Sequence, residues 1–162
     1  MDADALRDHL AAEFGDALEP DVSFGLLTVT VEDGDYRRVA EFVRDDREVS
    51  CNFFDFLCGV DEEDAGIGVI LHVYSTNHRH HVQLRTLVPR EGGHLPTLYD
   101  LWAGANWHER ETAELFGIGF DGHPNLSKLL LPEEFEGYPL RKDFALMARE
   151  AKVWPGAKEP GE

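Results

Sequence analysis

Apolar positions in the first third of the chain repeat with alternating helical and strand periods. Leu6, Leu10 and Phe14 recur at i, i+4 and i+8, which predicts a helix over Asp4–Phe14 that Gly15 can end. Val22–Val31 is rich in β-branched residues and closes on Glu32-Asp33-Gly34, so it predicts a strand. Asp35 can cap a following helix in which Tyr36, Val39, Ala40 and Val43 form the apolar face and Arg37, Arg38, Glu41 and Arg44 the solvent face. Val49–Val60 predicts a second strand, with Phe53, Phe54 and Phe56 crowding both of its sides. Asp61–Gly66 reads as a solvated acidic loop. Ile67–Thr76 and His81–Pro89 predict a third and a fourth strand, joined tightly through Asn77-His78-Arg79-His80. In the last of these, Val82, Leu84, Thr86 and Val88 alternate with His81, Gln83 and Arg85, the pattern of a half-buried strand. Thr97 and Asp100 have capping-box spacing ahead of a short helix that buries Leu98, Leu101, Trp102 and Ala105. Asn106 and Glu109 repeat that spacing ahead of a helix through Trp107–Phe116, which Gly117 can end in the left-handed conformation.

This order predicts an α+β fold. It is a two-layer domain with one mixed four-stranded sheet, strands two to four forming an antiparallel meander, and helices packed on one side. The chain divides into an α+β scaffold over 1–104, a distinctive segment of the same domain over 105–144, and an extended or disordered tail over 145–162.

The segment 105–144 departs from an ordinary core pattern. Trp107, Glu111 and Glu114 share one helix face, and Arg110 sits four residues from Glu114, within ion-pair reach. After Gly117 come Phe120, Gly122-His123-Pro124, then Leu129-Leu130-Leu131-Pro132 and Gly137-Tyr138-Pro139-Leu140-Arg141-Lys142-Asp143. So long an irregular stretch in a compact domain is functional or disordered. Its aromatic and leucine content argues against disorder and for packing on another surface.

Net charge narrows the partners. The 162-residue chain carries a formal charge of −17, so nucleic acid and anionic lipid headgroups are poor partners. No stretch is long and apolar enough for a membrane helix, and the acidic start Met1-Asp2-Ala3-Asp4 has no secretory-signal pattern. Membrane association would then run through other proteins. Cys51 and Cys58 are the only cysteines; their spacing disfavours a disulfide and they are too few for a cysteine-ligated cluster.

Three groups could carry chemistry. Glu109, Glu111 and Glu114 with His108 could act as acid–base carboxylates, but capping and salt bridging explain them as well. His78, His80 and His81 have part of a zinc ligand set and lack a third ligand at a telling spacing. His123, held between Gly122 and Pro124, could donate to a partner or titrate near neutral pH; a structural turn accounts for it too. Dinucleotide, phosphate-loop and nucleophile-elbow motifs are missing.

One resemblance joins these observations. Glu109-Arg110-Glu111, Glu114-Leu115-Phe116-Gly117-Ile118, Phe120, Gly122-His123-Pro124, Leu130-Leu131-Pro132 and Pro139-Leu140-Arg141-Lys142-Asp143 together resemble the signature of the C-type subunit of respiratory complex I, the bacterial NADH-quinone oxidoreductase. The resemblance implies a structural component of the hydrophilic arm, without a catalytic site or cofactor of its own. FMN and the iron–sulfur clusters would lie in other subunits, which carry electrons from NADH to quinone and couple this to proton translocation. It implies the D-type subunit and the one holding the last cluster as partners, and a peripheral position on the cytoplasmic side of the membrane. Trp107 and Phe116 would anchor the interface, and Arg110, Glu111, Arg141, Lys142 and Asp143 would set its register through ion pairs. Two alternatives stay open at this point. One is the same family member in a membrane-bound hydrogenase or a quinone reductase with another donor; the other is a free-standing zinc- or carboxylate-dependent hydrolase.

Overall fold

The computed structural model describes residues 1–145, so the tail lies, after Ala145, outside the described residues. Helix α1, Ala3–Phe14, begins where the Asp2 carboxylate accepts from the Ala5 N–H at 2.9 Å, and it buries Leu6 and Leu10. The strand expected over Val22–Val31 is instead a hairpin of β1, Leu18–Ser23, and β2, Leu26–Val31. Phe24 and Gly25 form its tip at φ 51° and 79°, the paired positive angles that a two-residue turn requires. Helix α2, Tyr36–Asp45, follows; Asp35 pairs with Arg38 rather than capping through its side chain.

Strands β3, Phe53–Asp61, β4, Ile67–Tyr74, and β5, His81–Val88, make the expected antiparallel meander. β5 also pairs in parallel with β2, which gives a five-stranded mixed sheet in the order β1-β2-β5-β4-β3. Val49–Asn52 lies before the strand rather than in it, and Cys51 and Cys58 are both free thiols. The buried apolar core joins Leu27, Val29, Leu57, Val69, Leu71 and Leu84 of the sheet to Leu6 and Leu10 of α1 and to Tyr36, Val39 and Val43 of α2. A short parallel pair, β6, His94–Pro96, and β7, Gly119–Asp121, flanks helix α3, Ala105–Phe116. The helix expected around Leu98–Ala105 is a run of turns, with Leu98 and Trp102 buried all the same.

α3 lies along β3, the last strand of the sheet. His108 bonds the Leu57 carbonyl at 2.9 Å on the free edge of that strand, and Phe116 covers Gly59 so closely that a Cβ there would sit 2.6 Å from the ring. α3 thereby covers the sheet edge, and Leu129–Leu131 and Leu140 return onto α3.

Candidate functional site

The segment after α3 has almost no backbone ladder of its own, so its amides need other acceptors. Charged side chains supply them. Glu114, expected to sit beside Arg110, is buried instead, and its carboxylate accepts from Leu129 N and Leu130 N at 2.8 Å and from Leu131 N at 3.3 Å. Arg110 turns the other way and donates to the Ser127 carbonyl and hydroxyl and to the Lys128 carbonyl, at 2.9 to 3.2 Å. Its guanidinium also stands 5.3 Å from the centre of the Trp107 ring. Lys128 donates to the carbonyls of Pro132, Glu133 and Phe135, so one ammonium closes the turn around Pro132.

The far end of the segment is fixed in the same way. Arg141, expected to pair with a partner, is buried within its own chain and donates to the carbonyls of Phe116 and Arg90, both at 2.7 Å, and to Glu91 at 2.6 Å. Its guanidinium lies 4.4 Å from the Tyr138 ring centre, and Gly117 at φ 75° leaves room for both groups. The Leu140 N–H reaches the Leu115 carbonyl at 3.2 Å. Asp61, placed in a solvated loop by sequence reasoning, is buried; it binds Arg90 and accepts from the Lys142 N–H at 2.7 Å. The Arg90 guanidinium holds the Asp61 carboxyl well below the usual carboxylate range. Lys142 pairs with Glu63 at 2.7 Å, and Asp143 stands 3.6 Å from Arg90.

Glu109 does not complete a capping box with Asn106. α3 starts after Gly104, and Glu109 turns into the interior, where the Thr97 hydroxyl and the Leu98 N–H, at 2.6 Å, both donate to it. Thr97 in turn accepts from Tyr99 N, and Asp100 pairs with Arg37, so the second capping box is absent as well. Burial pushes the Glu109 carboxyl up to about 7, against the pull of those two donors. His123 packs beside it with its Nε2 3.9 Å from the carboxylate and 3.3 Å from the Asn106 carbonyl, while Nδ1 accepts from Asn125 N. Both ring nitrogens of His123 thus meet groups of its own chain. Phe120 is buried in β7, Phe116 is a core residue rather than an exposed anchor, and Gly122, Pro124 and Pro132 stand at the exposed bends.

Neither hydrolase chemistry finds support in these contacts. Glu109 and Glu114 commit their oxygens to internal donors, and Glu111 lies half-buried by Cys58 and Leu140. His78 and His80 bond the carbonyls of Arg47 and Val49, and His81 stacks on His72. Among the described residues, no three such side chains converge as a metal site. Among its exposed acidic and polar residues the segment also shows large apolar side chains to solvent: Trp107 is 57% exposed, Leu130 63% and Leu140 53%.

The chain is similar to proteins that carry this segment. Residues 29–150 match the family model described as the 30 Kd subunit of respiratory-chain NADH dehydrogenase. The C-type subunit of the Roseiflexus castenholzii NADH-quinone oxidoreductase is 42% identical over 93% of this chain and 88% of its own. That of Chlorobium phaeobacteroides is 34% identical over 96% and 94%. A solved trypsin-resistant fragment of Nqo5 superposes at a TM-score of 0.65 with 26% identity, over 74% of this chain and 98% of the fragment. A chain of an archaeal membrane-bound sulfane sulfur reductase shares the fold, with a TM-score of 0.75 and 21% identity over 90% and 86%. The internal charge network, the covered sheet edge and these likenesses come together in one statement: the chain belongs to the family of the 30 Kd subunit of respiratory-chain NADH dehydrogenase.

Proposed function

We propose that this chain is a non-catalytic positioning component, the C-type subunit, in the peripheral arm of an NADH-quinone oxidoreductase. The observation that carries this reading is the division of labour in residues 105–144. The buried ionisable groups there, Glu109, Glu114 and Arg141, are engaged by the chain's own backbone and side chains, which leaves an ordered segment with Trp107, Leu130 and Leu140 facing outward. A catalytic site would need a group free to meet substrate. A positioning subunit needs a stiff surface with apolar anchors, and aromatic anchors dominate interface energetics.

In this reading FMN and the iron–sulfur clusters reside in other subunits, which move electrons from NADH to quinone and couple that to proton translocation. The D-type subunit and the one bearing the last cluster are the neighbours of the segment. Trp107, Leu130 and Leu140 are the anchors, with Lys142 and Asp143 at the rim. The chain lies on the cytoplasmic side, held to the membrane by its partners. In support, no helix among the described residues is long and apolar enough to cross a membrane.

A mild-detergent pull-down of the tagged chain from its own membranes tests this, with partners read by mass spectrometry and metals by elemental analysis. Co-purification with flavin, iron–sulfur and membrane subunits is expected. A solitary protein carrying stoichiometric zinc would overturn it.

A further inference from the structure

The five-stranded sheet has a second face. Leu27, Val29, Val69, Leu71 and Leu84 point to the helices and are fully buried. Their neighbours in sequence point away, and by strand register they line up in rows across the sheet. One row is Phe53, Tyr74 and His81; the next runs from Phe56 through His72, Gln83 and Thr28 to Asp21. The β-bulge at Asp55 makes this possible, because residues three apart on a regular strand point to opposite faces, and one extra residue returns Phe53 and Phe56 to the same one.

A sheet covered by helices on one face ordinarily presents polar residues to water on the other. This one presents an aromatic ladder. The Phe56 and His72 rings are 5.0 Å apart, His72 and His81 stack at 5.0 Å and 13°, and Tyr74 lies 4.5 Å from His81. Phe53 is 52% exposed and Leu87 37%, and Phe24 stands fully out at the hairpin tip. Large apolar side chains left exposed beside such a ladder mark an interaction site, and aromatic residues are the ones enriched there.

Charge decides what covers it. Glu19 and Asp21 on β1 and Asp55 on β3 put carboxylates at the edges of the aromatic ladder, while the guanidinium of this face, Arg85, is neutralised by Glu62. A second copy would set acidic rim against acidic rim and bring two chains of charge −17 together. We infer that the open sheet face is a second docking surface, taking a protein subunit of the same arm whose contact patch is apolar at its centre and edged with Lys and Arg. The inference rests on the peripheral-arm reading and adds to it. The chain then bridges the neighbours of the signature segment to a further subunit on the sheet.

The test uses the assembled complex. A photoactivatable benzoyl-phenylalanine replaces Phe53 or Leu87, both exposed, and Trp107 in a third strain as the reference. Light-dependent cross-links from positions 53 and 87 to a Lys- or Arg-bordered segment of another arm subunit are expected. The double variant Glu19→Lys with Asp21→Lys should lower recovery of that same subunit several-fold while keeping the position-107 cross-link. A complex that cross-links from 107 and catches nothing from 53 and 87 overturns the second surface alone. So does a cross-link from 53 or 87 to another copy of this chain or to its own residues 146–162. If the unsubstituted chain brings down no flavin or iron–sulfur subunit, the peripheral-arm reading falls and takes this inference with it.

Discussion

Residues 1–104 and 105–144 are held in order by different means. The first region is ordered by ladders and apolar burial: Leu27, Val69, Leu71 and Leu84 are fully buried between sheet and helices, and the strands satisfy one another's amides. The second has one helix, the short strand β7 and a long irregular return. Its leucines Leu130 and Leu140 are largely exposed, and its order comes from Glu114, Arg110, Lys128 and Arg141 gripping backbone atoms. A hydrophobic core tolerates approximate shapes and losing one contact spreads over many neighbours. A carboxylate that serves three amides is a single point of failure, because each amide left unpaired inside a protein costs about 1–3 kcal/mol. With those apolar side chains exposed, the segment thus depends on a few charges.

The largest expected effect breaks the first region. Leu71→Ala should lower global stability by about 2–5 kcal/mol through a cavity under the sheet, read by denaturant unfolding. Next, Glu114→Ala should cost about 2–4 kcal/mol, because Leu129 N and Leu130 N lose their acceptor. That loss should be confined to the segment, with early proteolytic cleavage between Gly117 and Asp143 and the scaffold's far-ultraviolet circular dichroism retained. Equal loss of structure throughout would mean that the two regions are one cooperative unit.

A third change sharpens the contrast through pH. The Glu109 carboxyl rises from an ordinary 4.5 to about 7 in the fold, so the folded state binds its proton more tightly than the unfolded chain. Its stabilising contribution is full below 4.5 and is lost as pH climbs through 7, on the order of 3 kcal/mol. Asp61, Asp46 and Asp100 are held below the usual range by their partners and act oppositely, weakening the fold only as pH falls through the acid range. Glu109→Gln keeps an acceptor for Leu98 N and a group to meet Thr97, so melting temperatures between about pH 5 and 8 should be flatter than for the unsubstituted chain. An unchanged slope would place the sensitive proton elsewhere. The smallest effect on the chain itself is that of Trp107→Ala, about 0.5 kcal/mol for an exposed side chain, whereas recovery of the assembled arm should drop clearly.

Periodic segments are readable from the sequence. The meander of β3, β4 and β5 and the buried stripe of α2 follow from patterns of two and 3.6 residues. The β1–β2 hairpin escapes because Phe24-Gly25 sits inside a run rich in β-branched residues, although a glycine within a strand pattern is a known sign of a break. The segment's signature is legible as a set of residues, but its wiring is not. Glu109 reads as part of a local cap, yet its donors Thr97 and Leu98 lie 12 and 11 residues back across a loop. Arg141 reads as a partner contact, yet its acceptors are carbonyls of Phe116 and Arg90, and a carbonyl leaves no trace in a sequence. Asp61 looks like one more acid in a solvated loop until Arg90, 29 residues on, is seen against it.

Internal charges organise the segment before any partner arrives, and native-state hydrogen exchange of the free, full-length chain tests this most directly. The amides to follow are those of Leu129 and Leu130, in the unsubstituted chain and with Glu114→Ala. Both amides should be protected in the unsubstituted chain, and the variant should lose that protection while the amides of β4 keep theirs. Unprotected Leu129 and Leu130 amides in the unsubstituted chain would contradict it, because the segment would then take its order from the partner.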